Sequence, residues 1–260
     1  MLFKEQINFF RKKINLPTHK WDDLIGAKHN SAFVVAGALK ADLLNDLNHI
    51  VKKAITDGIT IDDFRKDFLN IVAKNGWTNW TGEGTKSGVA WRTKIIYDTN
   101  LFSSYSAGRY SQLLEIAHER PYWRYKHNDA VIIPRPLHVS WDGLVIHYQN
   151  PWWQKHFPPN GFGCKCYIES LGENDLTKKP NNPPDNGTYQ HTFSNGQTKI
   201  IPKGIDPGWD YVPGNPQALI DFASNKAASY TPQIKLAYLG YINAHLNQLS
   251  DTSRTDSKSD

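Results

Sequence analysis

The sequence predicts an α+β protein with a helical N-terminal region, a long central helix, a small mixed core rich in β-hairpins and a C-terminal helix. Up to Pro121, apolar residues recur every three to four positions, as they do on one face of an amphipathic helix. After Pro121 the pattern changes to short alternating segments separated by turn residues, which is typical of β-strands. With 39% hydrophobic and 12% aromatic residues in a chain of 260, the sequence can bury a substantial core.

Three helices are expected in the N-terminal region, residues 1–80. The first apolar stripe runs from Phe3 to Ile14 and stops before Pro17, because proline cannot continue a helix. The second stripe spans residues 39–54 and is followed by Gly58, a residue type that often ends helices. The third begins with a capping pattern at Thr60 and ends at Asn75-Gly76. Short connections between them predict a compact helical region.

The central helix is predicted over residues 89–120, after a glycine-containing link at 78–88. Its apolar residues keep helical spacing, and Pro121 terminates it. The predicted length exceeds that of an ordinary helix, and Gly108 marks the position at which a break is expected.

A β-hairpin is predicted around Asp142-Gly143, which is a strong two-residue turn signal. The two strands would be residues 137–141 and 144–148. In that register His138 lies directly opposite His147, so both imidazoles share one face of the hairpin.

Further along the chain, Cys164–Leu171 is expected to form a strand with both cysteines on one side. Asn195-Gly196 predicts a second hairpin. A helix is predicted over residues 217–249, with an interruption near Pro232, and the polar residues 250–260 should fray. The predicted domains are therefore a helical region (1–80), a core (89–215) and a C-terminal helix with a polar tail (216–260).

The charged residues give little sign of a nucleic-acid surface. Thirty Lys and Arg against 25 Asp and Glu leave a net charge of +5, but the basic residues are scattered in small groups. Arg92, Lys94 and Arg109 on the long helix could contact DNA phosphates, although a solvated helix face is the default interpretation. Residues 1–16 lack the apolar stretch of a signal peptide, and only two cysteines occur, which favours a reducing compartment.

Two thiols and several imidazoles form a candidate metal site. The expected ligands are His138, His156, Cys164 and Cys166, with His147 as the alternative to His156. Two thiolates and two imidazoles suit tetrahedral zinc with every position filled, which is a structural site and not a catalytic one. The alternative is that the cysteines are small buried core residues without a metal.

An enzyme interpretation is weaker. His138, Asp142 and His147 could serve a metal-dependent hydrolase or nuclease, because such residues supply both metal ligands and a general base. Asp142 already has a role as a turn residue, and no second carboxylate follows nearby. We therefore expect no catalytic activity.

Several sequence segments resemble the phage Mu F-like minor head proteins, a family that acts in phage head morphogenesis. The likeness covers about residues 1–215, and its order and spacing are more specific than any single fragment. The segments that carry it are Trp91–Leu101, Ala107–Tyr110, Arg135–His138, Trp141–Gly143 and Phe157–Cys166, flanked by Phe33–Gly37 and Gly204–Tyr211.

The resemblance implies a non-enzymatic minor head protein that acts beside the portal and scaffold proteins during prohead assembly. Such a protein would work in the bacterial host cytoplasm and remain in the virion head near packaged DNA, with no membrane partner. The module also resembles the delivery part of some phage-derived toxins, but the polar tail leaves no room for an effector domain. Many relatives carry a His between the Pro-Pro and the Cys-x-Cys, where this chain has residues 160–163, and His156 is the nearest substitute.

Overall fold

The computed structural model describes residues 3–215, 224, 227–228 and 230–241. The chain divides into two compact units, Met1–Gly214 and Asn215–Asp260, and each is described by itself. In the second unit, residues 232–241 are helical, and this helix begins at Pro232. Proline is favoured in the first turn of a helix, where its missing N–H costs nothing. The rest of the predicted C-terminal helix and the polar tail lie outside the described residues.

Four helices build the N-terminal part of the first unit: α1 (Lys4–Arg11), α2 (Ala41–Asp57), α3 (Ile61–Asn75) and α4 (Lys86–Glu115). The predicted ends of α2 and α3 are confirmed, because Gly58 and Gly76 both adopt the left-handed conformation, with φ of 67° and 58°. The side chain of Thr60 caps α3, as the sequence predicts. The helices bury one apolar cluster that includes Phe10, Leu47, Val51, Phe64 and Phe68.

The first helix is shorter than its apolar stripe predicts. It ends at Arg11, and Ile14 is 60% exposed instead of packing on the helical face. Ile14–Asn15 form a two-residue strand, β1, that pairs in parallel with β2 (Ala32–Phe33). Backbone pairing with β2 therefore replaces the last predicted turn of the helix.

The central helix α4 is continuous over 30 residues, so the break expected at Gly108 is wrong. The glycine serves a different purpose. A Cβ added at Gly108 would lie 2.7 Å from Phe3 Cζ and 2.8 Å from the backbone nitrogen of Gln6. The absence of a side chain at Gly108 lets the start of α1 lie directly against α4.

The β-rich part consists of two small sheets. Strand β3 (Tyr122–Lys126) is the centre of an antiparallel sheet, between β4 (Val145–His147) and β5 (Tyr167–Leu171). Strands β6 (Thr188–Thr192) and β7 (Thr198–Pro202) form the second predicted hairpin around Asn195-Gly196. The α+β class predicted from the sequence is confirmed.

The hairpin predicted over residues 137–148 is wrong. Pro136–Ser140 forms a short helix, α5, with Pro136 in its first turn. Strand β4 pairs with β3 instead, and His147 lies opposite Tyr122 and not opposite His138. Asp142-Gly143 does make a turn, but the turn joins α5 to β4. Pro136 has no N–H for a strand ladder, whereas it fits the first turn of a helix.

All five tryptophans after Pro121 are buried in a second apolar cluster. The aromatic pair Trp152 and Trp153 and the later residues Trp209 and Tyr211 are all at most 9% exposed. Trp152, Trp153 and Trp209 belong to this cluster, and none of the four residues forms an exposed aromatic surface. None of the helices among the described residues combines the length and the apolar composition needed to cross a membrane.

Candidate metal centre

Four side chains converge where β3 ends and β5 begins. His127 follows the last residue of β3, His138 lies on α5, and Cys164 and Cys166 immediately precede β5. The ligand atoms of His138, Cys164 and Cys166 all lie within 4.8 Å of one another. These three side chains are also buried, with 2%, 4% and 9% exposure. The fold therefore brings the two thiols together with an imidazole that precedes them by 26 and 28 residues in the sequence.

The sulfur and nitrogen atoms are in close contact. His138 Nδ1 lies 3.7 Å from Cys164 Sγ and 3.6 Å from Cys166 Sγ. On its other side, Cys166 Sγ lies 3.6 Å from His127 Nδ1. His127 is half-buried, and its backbone N–H donates to the Asp142 carboxylate at 2.8 Å. The four side chains thus form a continuous cluster of two sulfurs and two ring nitrogens.

The imidazole of His138 is fixed in orientation. Its Nε2 lies 2.7 Å from the carbonyl oxygen of Gly204, and its ring stacks on Trp141 with a centroid separation of 5.3 Å and an interplanar angle of 19°. A carbonyl can only accept, so Nε2 carries the proton and Nδ1 presents its lone pair to the cysteines. Gly204 has φ of +90°, and a Cβ there would lie 2.4 Å from Trp141 Cη2.

The two thiols are electrostatically coupled. Hydrogen bonding to Cys166 and burial raise the pKa of Cys164 well above its ordinary value. The same hydrogen bond, donated by Cys164, holds the pKa of Cys166 below its ordinary value. Of the two thiols, Cys166 is therefore the one that loses its proton first.

The turn before the cysteines is held by an ion pair. Arg135 donates to Asp206 Oδ2 at 2.6 Å, and the same oxygen accepts from the backbone N–H of Phe162 at 3.1 Å. The backbone N–H of Cys164 then donates to the Gly161 carbonyl at 3.1 Å, which closes the turn. A cleft of about 290 Å³ bordered by α4 reaches both cysteines and provides a route from solvent.

The structure does not bring His156 or His147 into the cluster. His156 is buried, its Nδ1 lies 2.9 Å from the Trp152 carbonyl oxygen, and its ring stacks on Trp152 with centroids 4.2 Å apart. His147 accepts a hydrogen bond from the Gln149 N–H at its Nδ1 and packs edge-on against Tyr122. Of the predicted ligands, His138, Cys164 and Cys166 come together, and His127, which was not predicted, contacts Cys166.

The sequence of this region is similar to that of known proteins. Residues 45–169 match the family model described as Phage Mu protein F like protein, so the match includes all four residues of the cluster. The chain is also 30% identical over 243 residues to a protein of Escherichia phage Mu named "Putative capsid assembly protein F", an alignment that covers 82% of this chain. The chain belongs to the Mu F-like family.

A second Mu F-like relative comes from a bacterial genome. The Mu-like prophage FluMu F protein of Haemophilus influenzae is 32% identical over 161 residues, which cover 60% of this chain and 38% of that protein. The chain spans about half the length of the phage Mu relative, of which the alignment covers 54%. No solved structure gives a significant match to this Mu F-like chain.

The residues of the enzyme interpretation do not meet in this Mu F-like protein. His147 lies on β4 opposite Tyr122, and not opposite His138 as the predicted hairpin would place it. The Asp142 carboxylate binds Lys126 Nζ at 2.8 Å and accepts from the backbone N–H of His127. Among the residues that the structure describes, the group of His138, Cys164 and Cys166 is the one cluster with metal-ligand geometry.

The three residues of α4 considered as DNA contacts bind other groups of the protein. Arg92 is buried and donates to the carbonyl of Ala36. Lys94 pairs with Asp98 on the next turn, and Arg109 donates to Gln112 Oε1 at 2.6 Å. These contacts explain their presence on α4 without a phosphate partner.

Proposed function

We propose that this protein is a minor head protein that acts in phage prohead assembly through contacts with the portal protein and other head proteins. The observation that carries the proposal is the alignment over 82% of the chain to a phage Mu relative whose name describes capsid assembly. The match to the family model, which runs from α2 to β5, supports the same role. The protein would act in the host cytoplasm during assembly and remain in the virion head, close to packaged DNA.

We further propose that this role is not enzymatic. The side chains that could support hydrolysis have other contacts: Asp142 accepts from the backbone N–H of His127, and His147, at the end of β4, packs against Tyr122. His138, Cys164 and Cys166 are buried, and their nitrogen and sulfur atoms contact other protein groups. A buried cluster of this kind suits stabilisation of the fold better than turnover of a substrate.

Co-sedimentation tests the proposed role. The chain would be produced together with the portal and the remaining head proteins of its own phage, and the assembled particles separated on a gradient. We expect the chain in the prohead fraction at a few copies per particle. If the portal is its partner, omitting the portal gene should remove the chain from the prohead fraction. Its absence from proheads made with the complete set of head proteins would contradict the proposal.

A further inference from the structure

We propose that His127, His138, Cys164 and Cys166 bind one Zn²⁺ ion in a closed tetrahedral site. The site would join three separate pieces of chain: the end of β3, helix α5 and the segment before β5. This inference is independent of the role in head assembly, because it rests on the atoms of the cluster.

Three sulfur–nitrogen distances within the cluster match edges of a zinc tetrahedron. With Zn–S bonds of about 2.3 Å and Zn–N bonds of about 2.0–2.1 Å, sulfur and nitrogen ligands are separated by about 3.6 Å. The three sulfur–nitrogen contacts measure 3.7, 3.6 and 3.6 Å. These contacts match three of the six edges of such a tetrahedron. The ligand atoms that all lie within 4.8 Å of one another are those of His138, Cys164 and Cys166, so His127 has to turn toward Cys164 and His138 to complete the site.

Hydrogen bonding alone explains this arrangement less well. Both sulfur atoms contact the same nitrogen, His138 Nδ1, at nearly equal distances. An unprotonated imidazole nitrogen has one lone pair and accepts one good hydrogen bond, so two thiols cannot both donate to it well. A metal ion placed between the three atoms uses the lone pair of Nδ1 and both sulfurs at once.

The donor set selects zinc. Thiolates and imidazoles favour Zn²⁺ over Mg²⁺ or Ca²⁺, which prefer oxygen ligands. No carboxylate belongs to the group of His138, Cys164 and Cys166 in the part of the chain that the structure describes. Two sulfurs and two nitrogens fill all four positions, which leaves none for a catalytic water.

Groups around the cluster prepare the ligands for a metal. The Gly204 carbonyl fixes the His138 tautomer in which Nδ1 is free to coordinate. The Asp142 carboxylate accepts from the backbone N–H of His127 and so fixes the backbone that carries the fourth ligand.

The experiment uses the full chain as purified and needs two readouts. Elemental mass spectrometry of protein prepared without added metal gives the zinc content, and we expect one zinc per chain. The protein is then stripped with a chelator and titrated with Co²⁺, whose absorption bands report tetrahedral thiolate coordination. We expect these bands to appear at one equivalent and to disappear when Zn²⁺ displaces Co²⁺.

Variants assign the fourth ligand. His127→Ala should weaken zinc binding by at least about 100-fold, since losing even an orienting partner of a ligand costs about 10- to 100-fold. The matched control is His147→Ala, which removes a half-buried histidine from the neighbouring strand β4 and should leave zinc affinity unchanged. His127 is half-buried, so its variant should fold, and circular dichroism verifies this.

Three results would overturn the proposal. The first is purified protein that holds no zinc and gives no tetrahedral Co²⁺ spectrum on titration. The second is a His127→Ala variant that folds and keeps wild-type zinc affinity, which would exclude this residue as the fourth ligand. The third is a Cys166→Ser variant that keeps the thiolate-to-cobalt bands at full intensity.

Discussion

His127 lies opposite Cys166, one residue beyond the paired ends of β3 and β5. The last pair of that ladder is Lys126 with Tyr167, and continuing the antiparallel register by one step gives His127 with Cys166. The ring nitrogen and the sulfur are 3.6 Å apart. Pairing between strands some 40 residues apart in sequence therefore determines which histidine reaches the cysteines.

Gly204→Ala tests the support around His138. A methyl group there would collide with Trp141, and the positive φ would be strained. Because the Gly204 carbonyl orients the imidazole, we expect zinc affinity to fall by about 10- to 100-fold. Competition with a calibrated chelator measures it.

The control for this substitution is Gly196→Ala. Gly196 also has a positive φ, of +81°, but a Cβ there meets nothing within 4 Å. This variant carries the same kind of backbone strain in the turn between β6 and β7, and it should keep wild-type zinc affinity. Equal losses in both variants would show that the Gly204 effect is general instability.

Gly108→Ala tests the close approach of α1 to α4. Alanine has the higher helix propensity, so in isolation the change would stabilise α4 by about 1 kcal/mol. The added Cβ would instead collide with Phe3 and with the backbone of Gln6. We expect the free energy of unfolding to fall by about 1–3 kcal/mol, as measured by urea denaturation.

A second glycine provides the comparison for this prediction. Gly240 lies in the helix at 232–241, and a Cβ there meets nothing within 4 Å. Gly240→Ala should therefore be neutral or slightly stabilising. A stabilised Gly108→Ala variant would mean that α1 does not pack on this part of α4.

Acid should destabilise the protein through His156. Burial lowers the pKa of His156 from 6.5 to about 4. Between these pH values the unfolded chain binds a proton at His156 that the folded chain does not. The free energy of unfolding therefore has its full value above pH 6.5 and falls as the pH approaches 4. The contribution is on the order of 3 kcal/mol.

Replacing this histidine should flatten the acid response. Between pH 6.5 and pH 4, the free energy of unfolding should change less in His156→Gln than in the wild type. The difference in slope corresponds to the uptake of about one proton on unfolding. Thermal or urea unfolding across that range measures the difference. An identical pH slope in both proteins would indicate that the folded state protonates His156 as readily as the unfolded chain does.

The local patterns of the sequence were sufficient to predict much of the helical part. The ends of α2 and α3 follow from Gly58, Thr60 and Gly76, because each residue satisfies a helix terminus through its own chemistry. The break predicted at Gly108 was wrong because the role of this glycine depends on its contact with the start of α1 and not on the helix that contains it.

The site was predictable only in part. His138, Cys164 and Cys166 were identified by ligand type, and the structure places them together. The hairpin prediction failed because the turn signal at Asp142-Gly143 does not reveal that β3 is the partner of β4. His127 was missed for the same reason, since its position depends on the register between β3 and β5. Non-local strand pairing is not encoded in any short motif.

X-ray absorption spectroscopy of the zinc-loaded protein tests the central claim of a closed site most directly. We predict a first shell of two sulfur atoms at about 2.3 Å and two nitrogen atoms at about 2.0–2.1 Å. In His127→Ala, one nitrogen should be lost from that shell. A wild-type shell with a single sulfur, or with an oxygen in place of the second imidazole, would contradict a site closed by His127, His138, Cys164 and Cys166.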